Sequence, residues 1–145
     1  MGQKVSEETT IAAPPDTVWE VIIDLDTYPE WTEGVLETEV VATNEDGYPH
    51  HGRFKVDAKV AEIAYVIEYR YSDYDVAWHL IEGDTISQLD GLYELWEDDD
   101  GNTRVRYSLE VDVDLPLPGF LKKRAARTIL DQGLTGLKKR AESQV

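Results

Sequence analysis

Cysteine is absent from the 145 residues. That excludes disulfides, thiolate nucleophiles and Cys-ligated zinc at once. No apolar run approaches the roughly 18 residues that would cross a bilayer, and the opening Met1-Gly2-Gln3-Lys4-Val5-Ser6 has none of the apolar core of a secretory signal. Both observations predict a cytoplasmic protein. The same residues formally fit a Met-Gly-x-x-x-Ser myristoylation pattern, but a pattern that short carries little weight. Positive charge is also scarce: 14 Lys and Arg face 30 Asp and Glu, for a net charge of −16. From Pro116 onward seven basic residues oppose only Asp131 and Glu142, so this segment carries +5 and the preceding 115 residues carry −21. A body that acidic repels phosphate backbones and excludes nucleic acid as a partner. The basic segment reads first as a solvated helix face complementing an acidic sheet, and second as a weak contact for a membrane surface.

What is present fits one domain over residues 1–145. A chain of this length buries roughly 70% of its unfolded surface, and 41% hydrophobic residues supply a core. A first strand is expected over 4–12. Pro14-Pro15-Asp16 then opens a helix by fixing φ and placing an acid in the first turn; Val18, Trp19, Val21, Ile22 and Ile23 form its apolar face. Thr27-Tyr28-Pro29-Glu30 reads as a capping box for a second, very short helix that carries Trp31 and stops near Gly34.

Six more strands follow, separated by turn-forming clusters at 44–47, 72–75, 83–84 and 98–102, with one boundary near residue 60 that lacks turn residues. Phe54, Val56, Ala58 and Val60 alternate with Arg53, Lys55, Asp57 and Lys59; Val105, Tyr107, Leu109, Val111 and Val113 alternate with polar neighbours. This is an antiparallel sheet with one wet and one buried face. A long helix is expected to begin after Leu115-Pro116-Leu117-Pro118-Gly119 and to run to about Glu142, with Leu121, Ala125, Leu130, Leu134, Leu137 and Ala141 as its apolar stripe. Gly133 and Gly136 each weaken that helix by about 1 kcal/mol, which predicts that the sheet or a ligand approaches closely there.

The run Pro14-Pro15-Asp16-x-Val18-Trp19, then Asp24, then Tyr28-Pro29-x-Trp31 resembles the opening of the polyketide cyclase/dehydrase and lipid-transport family, a branch of the START-like, Bet v 1-like (SRPBCC) superfamily. Asp90-Gly91-x-Tyr93-x-Leu95 and Pro116-x-Pro118-Gly119 before a Lys/Arg-rich helix are similar to its actinobacterial members. The resemblance spans essentially the whole chain. It implies an α+β helix-grip fold: a curved seven-stranded antiparallel sheet wrapped around a long C-terminal helix, with two short helices after strand 1. It also implies a cavity between sheet and helix.

Strand alternation then places Leu36, Val40, Phe54, Val56, Tyr65, Ile67, Tyr69, Trp78, Leu80, Leu89, Tyr93, Leu95, Tyr107 and Leu109 inward, facing Leu130, Leu134 and Leu137. The expected ligand-binding set is Trp31, Phe54, Val56, Tyr65, Tyr69, Trp78, Ser87, Tyr93, Tyr107, Leu130, Gly133, Leu134 and Leu137. So many tyrosines and tryptophans suit a flat amphipathic molecule, unless the rings fill the interior themselves.

Catalytic signals are few. There is no Gly-x-Ser-x-Gly and no Ser–His pairing. Ser87 and the inward tyrosines could orient or protonate a substrate, but no strong base sits among them, and Arg53 and Arg70 point outward. His50-His51 is expected to be solvent-exposed and His79 to point out of the cavity; no histidine has a ligand at helical spacing, so no metal site is expected. Asp98-Asp99-Asp100-Gly101 fails the calcium-loop pattern at both ends, where Trp96 and Tyr107 stand. No cofactor is called for. The leading expectation is binding or transfer of an apolar small molecule (a lipid, quinone or polyketide-like compound). A polyketide aromatase/cyclase and a partner-binding regulator without a ligand are the alternatives.

Overall fold

The computed structural model describes residues 2–59 and 61–145. Val60, expected to continue the inward row of the third strand, lies outside them. The chain runs β1 (Gln3–Ile11), α1 (Pro15–Ile23), a 3-10 turn (Leu25–Thr27), α2 (Tyr28–Trp31), then β2 (Val35–Thr43), β3 (Pro49–Asp57), β4 (Glu62–Ser72), β5 (Asp75–Asp84), β6 (Ile86–Glu97), β7 (Thr103–Val113) and finally α3 (Gly119–Glu142). The strands form one antiparallel sheet in the order β1-β7-β6-β5-β4-β3-β2. Every neighbouring pair is a hairpin except β1–β7, which joins the two ends of the fold. The sheet curls around α3, which lies against β1 and β7, as a helix-grip fold requires.

The alternation expected of β3 and β7 is present, with Phe54, Val56, Val105, Tyr107, Leu109, Val111 and Val113 all buried. The boundary near residue 60 is a true turn despite its composition. Lys59 adopts φ +73°, and the Asp57 carboxylate accepts a hydrogen bond from the Lys59 amide at 2.9 Å, so a side chain does locally what glycine usually does. The capping box does not form: Thr27 Oγ1 instead donates to Asp24 O and accepts from Trp31 Nε1.

Single-residue bulges change which side chains face in. A register shift between Val35 and Glu37 leaves Leu36 as an extra residue; it is 45% exposed, not inward, and Val35 takes the inward place. A second shift, between Ile86 and Gln88, does the same to Ser87. The Ser87 side chain lies outside, near Asp112 O, while Ile86 and Leu89 are buried. A strict period of two cannot anticipate an inserted residue.

Charge complementarity between α3 and the sheet is explicit. Lys122 pairs with Asp112, Arg127 with Glu7, and Arg140 with Glu30 of α2. Glu142 accepts hydrogen bonds from the Ala12 amide and from Lys138, tying the end of α3 to the β1–α1 junction. Exposed pairs of this kind contribute at most about 1 kcal/mol each. No helix is long and apolar enough to cross a membrane among the described residues.

The histidines are not isolated. His50, His51 and His79 all converge on Glu68, on the outer face of the sheet. His51 and Glu68 are register partners on β3 and β4, as are Glu68 and His79 on β4 and β5. Helical spacing was the wrong criterion for residues that meet across strands.

Candidate functional site

A partly open cavity of about 70 Å³ lies between the sheet, α2 and α3. This is small beside the roughly 300–1,000 Å³ of a typical ligand site. Its floor comes from consecutive strands: Phe54 and Val56 of β3, Tyr65, Ile67 and Tyr69 of β4, Trp78 of β5, Tyr93 of β6 and Tyr107 of β7. Tyr28, Trp31 and the 32–35 segment close one end, and Ile129, Gln132 and Gly133 of α3 form the roof.

The rings form a chain rather than a random lining. Phe54 stacks on Tyr65 at 5.5 Å between centroids, Tyr93 stacks on Tyr107 at 4.3 Å, and Trp78 leans on both Tyr93 and Tyr107. Gly91 is opposite Trp78 in register. A Cβ there would lie 2.1 Å from the indole, so only glycine lets that ring lie flat over the neighbouring strand. Aromatic side chains thus occupy most of the interior and leave a narrow space between them.

Polar groups face this space without protein partners. Thr32 Oγ1 is buried and makes no hydrogen bond among the described residues. The hydroxyls of Tyr65, Tyr69, Tyr93 and Tyr107 likewise make none with other described residues. Tyr28 differs, donating to Ile22 O. Burial, reinforced by neighbouring tyrosines, holds the phenols of Tyr28, Tyr69 and Tyr93 well above their ordinary range; burial also raises Tyr65 and Tyr107. These groups stay protonated and act as donors, able to hold a carbonyl oxygen but not to abstract a proton. The carboxylates that border the cavity are Glu33 and Asp57. Glu33 is exposed, and Asp57 is occupied by the Lys59 amide.

The sequence-expected residues divide clearly. Trp31, Phe54, Val56, Tyr65, Tyr69, Trp78, Tyr93, Tyr107 and Gly133 line the cavity; Ser87, Leu130, Leu134 and Leu137 do not. The leucines are buried but belong to the stripe that packs α3 against the sheet. The roof is the adjacent stripe, 129, 132 and 133, at helical spacing i, i+3 and i+4. Gln132, polar beside a helical glycine, was the available signal for it, and Thr32 had none. Gly136 does not make room for a ligand or for the sheet: a Cβ there would lie 2.1 Å from Trp31 O, so α2 itself occupies the space.

No curated protein sequence matches the chain. Several solved structures share its fold. A START superfamily protein from Mycobacterium smegmatis superposes with a TM-score of 0.90 at 23% identity, covering 99% of this chain and 100% of that one. The Zhui aromatase/cyclase from Streptomyces sp. R1128 gives 0.78 at 14% identity, covering 99% and 93%. A protein from Thermus thermophilus gives 0.78 at 22%, covering 97% and 95%. Residues 2–142 match the family described as polyketide cyclase/dehydrase and lipid transport, and the chain belongs to that family.

Proposed function

We propose that this protein binds, and passes on, a small flat apolar molecule bearing one or two oxygen acceptors, held in the cytoplasm between the aromatic floor and α3. Quinones and polyketide-like compounds fit this description, as does the ring end of a lipid. The observation that carries the reading is the set of lining tyrosines, Tyr65, Tyr69, Tyr93 and Tyr107, whose hydroxyls make no hydrogen bond with other described residues, with the unpartnered Thr32 Oγ1 buried beside them. A buried polar atom left unsatisfied costs about 1–3 kcal/mol, and a ligand oxygen or a displaceable water removes that cost. The cavity is narrow and borders solvent at Glu33, so a ligand of ordinary size enters there and parts the rings to make room. Binding without chemistry is favoured over cyclisation because the described buried lining supplies donors and no base.

The test begins with native mass spectrometry of protein isolated without detergent. It continues with uptake of anilinonaphthalene sulfonate by wild type and by Gly133→Leu, whose side chain would enter the cavity beside Tyr107. Wild type should carry an extractable compound or take up one equivalent of probe, and the variant should stay folded but lose uptake. A bare wild-type mass with no probe binding would remove the proposal. Conversion of a poly-β-ketone analogue to a ring-closed product would replace it with the aromatase/cyclase reading.

A further inference from the structure

The second constellation of chemistry-bearing side chains is on the opposite face of the sheet. Glu68 Oε1 is 3.4 Å from His50 Nε2 and 3.2 Å from His51 Nε2, and Glu68 Oε2 is 3.4 Å from His79 Nε2. His50 and His51 are consecutive on β3 and should point to opposite faces. They do not, because the β2–β3 register slips between the Ala42–His51 and Thr43–Pro49 pairs, leaving His50 as an inserted residue. The two rings lie 4.4 Å apart on one face. Bulges re-aim side chains in this way, and they recur beside functional sites.

We propose that His50, His51 and Glu68 form a binding site for a divalent transition-metal ion of the zinc class. Two imidazole nitrogens and one carboxylate oxygen are the ligand types such an ion takes, with bonds of about 2.0–2.2 Å. Bonds of that length set neighbouring ligand atoms of a tetrahedron about 3.3 Å apart, close to the 3.2 and 3.4 Å measured from Glu68 to the two rings. The three ligand atoms all lie within 4.8 Å of one another, so small side-chain rotations close the site. Each of these side chains is about one-third to two-fifths exposed, which leaves the fourth position to water.

His79 acts as a positioning residue. Its Nε2 lies beside the second oxygen of Glu68, the outer-shell contact that orients a ligating carboxylate. Its Nδ1 is buried without a partner among the described residues, so Nε2 is the ring nitrogen that faces the site. The strongly acidic body around it concentrates cations.

The experiment uses the full chain without a polyhistidine tag, stripped with a chelator and dialysed. Zinc is titrated against a chromophoric chelator, and cobalt(II) absorption reports coordination number. Wild type should bind one equivalent with micromolar affinity or better and give the intense visible bands of a four-coordinate cobalt site. His51→Ala, His50→Ala and Glu68→Gln should each weaken binding by more than tenfold with unchanged circular dichroism. His79→Ala should weaken it by about tenfold, and His79→Gln, which keeps a donor near Oε2, should restore most of that loss. Zinc should also raise the melting temperature of wild type but not of Glu68→Gln. Absence of stoichiometric binding in wild type overturns the proposal. So does binding that survives in both Glu68→Gln and His51→Ala, because the metal would then sit elsewhere. None of these measurements depends on the cavity, so failure here leaves the ligand-binding reading untouched.

Discussion

Above about pH 10 the protein should lose its fold in one steep cooperative step. Tyr28, Tyr69, Tyr93 and Tyr107 are all more than nine-tenths buried. Burial comes first among the causes that raise their ionisation above the ordinary value near 10. Below that pH the phenols are protonated in both folded and unfolded chains, and their contribution to stability is complete. As the pH rises past it, the unfolded chain releases these protons while the folded chain cannot. Stability therefore falls, by up to about 1.4 kcal/mol per pH unit for each phenol. Four acting together approach about 5–6 kcal/mol per unit, comparable to the roughly 5–15 kcal/mol that holds a typical domain. Tyrosinate absorbance and far-ultraviolet circular dichroism should change together, within about one to two units. Tyr93→Phe, which keeps the ring stack on Tyr107, should make the fall shallower by the share of one phenol. Ionisation of Tyr28, Tyr69, Tyr93 and Tyr107 near pH 10, followed residue by residue by carbon NMR in a chain with intact circular dichroism, would show that these rings are solvated, and the buried interior described above would be wrong. The exposed Tyr74 is expected to ionise without unfolding.

Gly136→Ala should be the most damaging single-methyl change in α3. In isolation the substitution favours the helix by about 1 kcal/mol. In the fold the new carbon would lie 2.1 Å from the Trp31 carbonyl oxygen and 3.0 Å from its carbon. Neither atom can swing away, because both belong to the backbone of α2. Relief requires α2 to move, and overpacking of this kind costs about 1–3 kcal/mol or more. We expect a net loss of about 2 kcal/mol, or roughly 5–8 °C in melting temperature, together with increased hydrogen exchange in 28–34. Gly133→Ala makes the contrast. Its methyl would meet the Tyr107 ring edge at 3.0 Å and the Tyr93 hydroxyl at 3.6 Å, side-chain atoms beside open space, and the melting temperature should hardly move. Equal losses at the two positions would mean that the α2–α3 contact is not what holds the cavity end shut.

Much of this architecture could be read directly from the residues. Alternation in β3 and β7 identified Phe54, Val56, Tyr107 and Leu109 as inward because those stretches run without interruption. The Pro-rich entries to α1 and α3 marked both helices, since fixed φ and missing amides act locally. The errors within the strands share one physical origin: an inserted residue inverts the parity of what lies beyond it and leaves no compositional trace. Leu36 and Ser87 were misplaced for this reason, and the same kind of insertion brings His50 and His51, read only as an exposed pair, onto one face beside Glu68. The roof of the cavity was missed for a different reason. α3 has two stripes, and hydrophobicity reports the one that packs, Leu130, Leu134 and Leu137, while the cavity takes the less apolar one beside it. Thr32 becomes notable only when the burial of its oxygen is known.

The pairing of β1 with β7 bears on how the chain is made. Ser6 stands opposite Ser108, and Gln3 opposite Val111, so the earliest strand to be synthesised waits for the last. At about 5–20 residues per second that interval is roughly 5–20 s, during which β1 has no strand to pair with and α3 has no gripping surface. Contacts this distant in sequence also slow folding once the chain is complete. The alternation Lys4, Ser6, Glu8, Thr10 on one side of β1 and the charge of Glu7 on the other give the waiting strand little tendency to join a neighbouring chain. The acidity of the body then serves the nascent protein as well as the finished one: it keeps an unpaired edge in solution until its partner arrives.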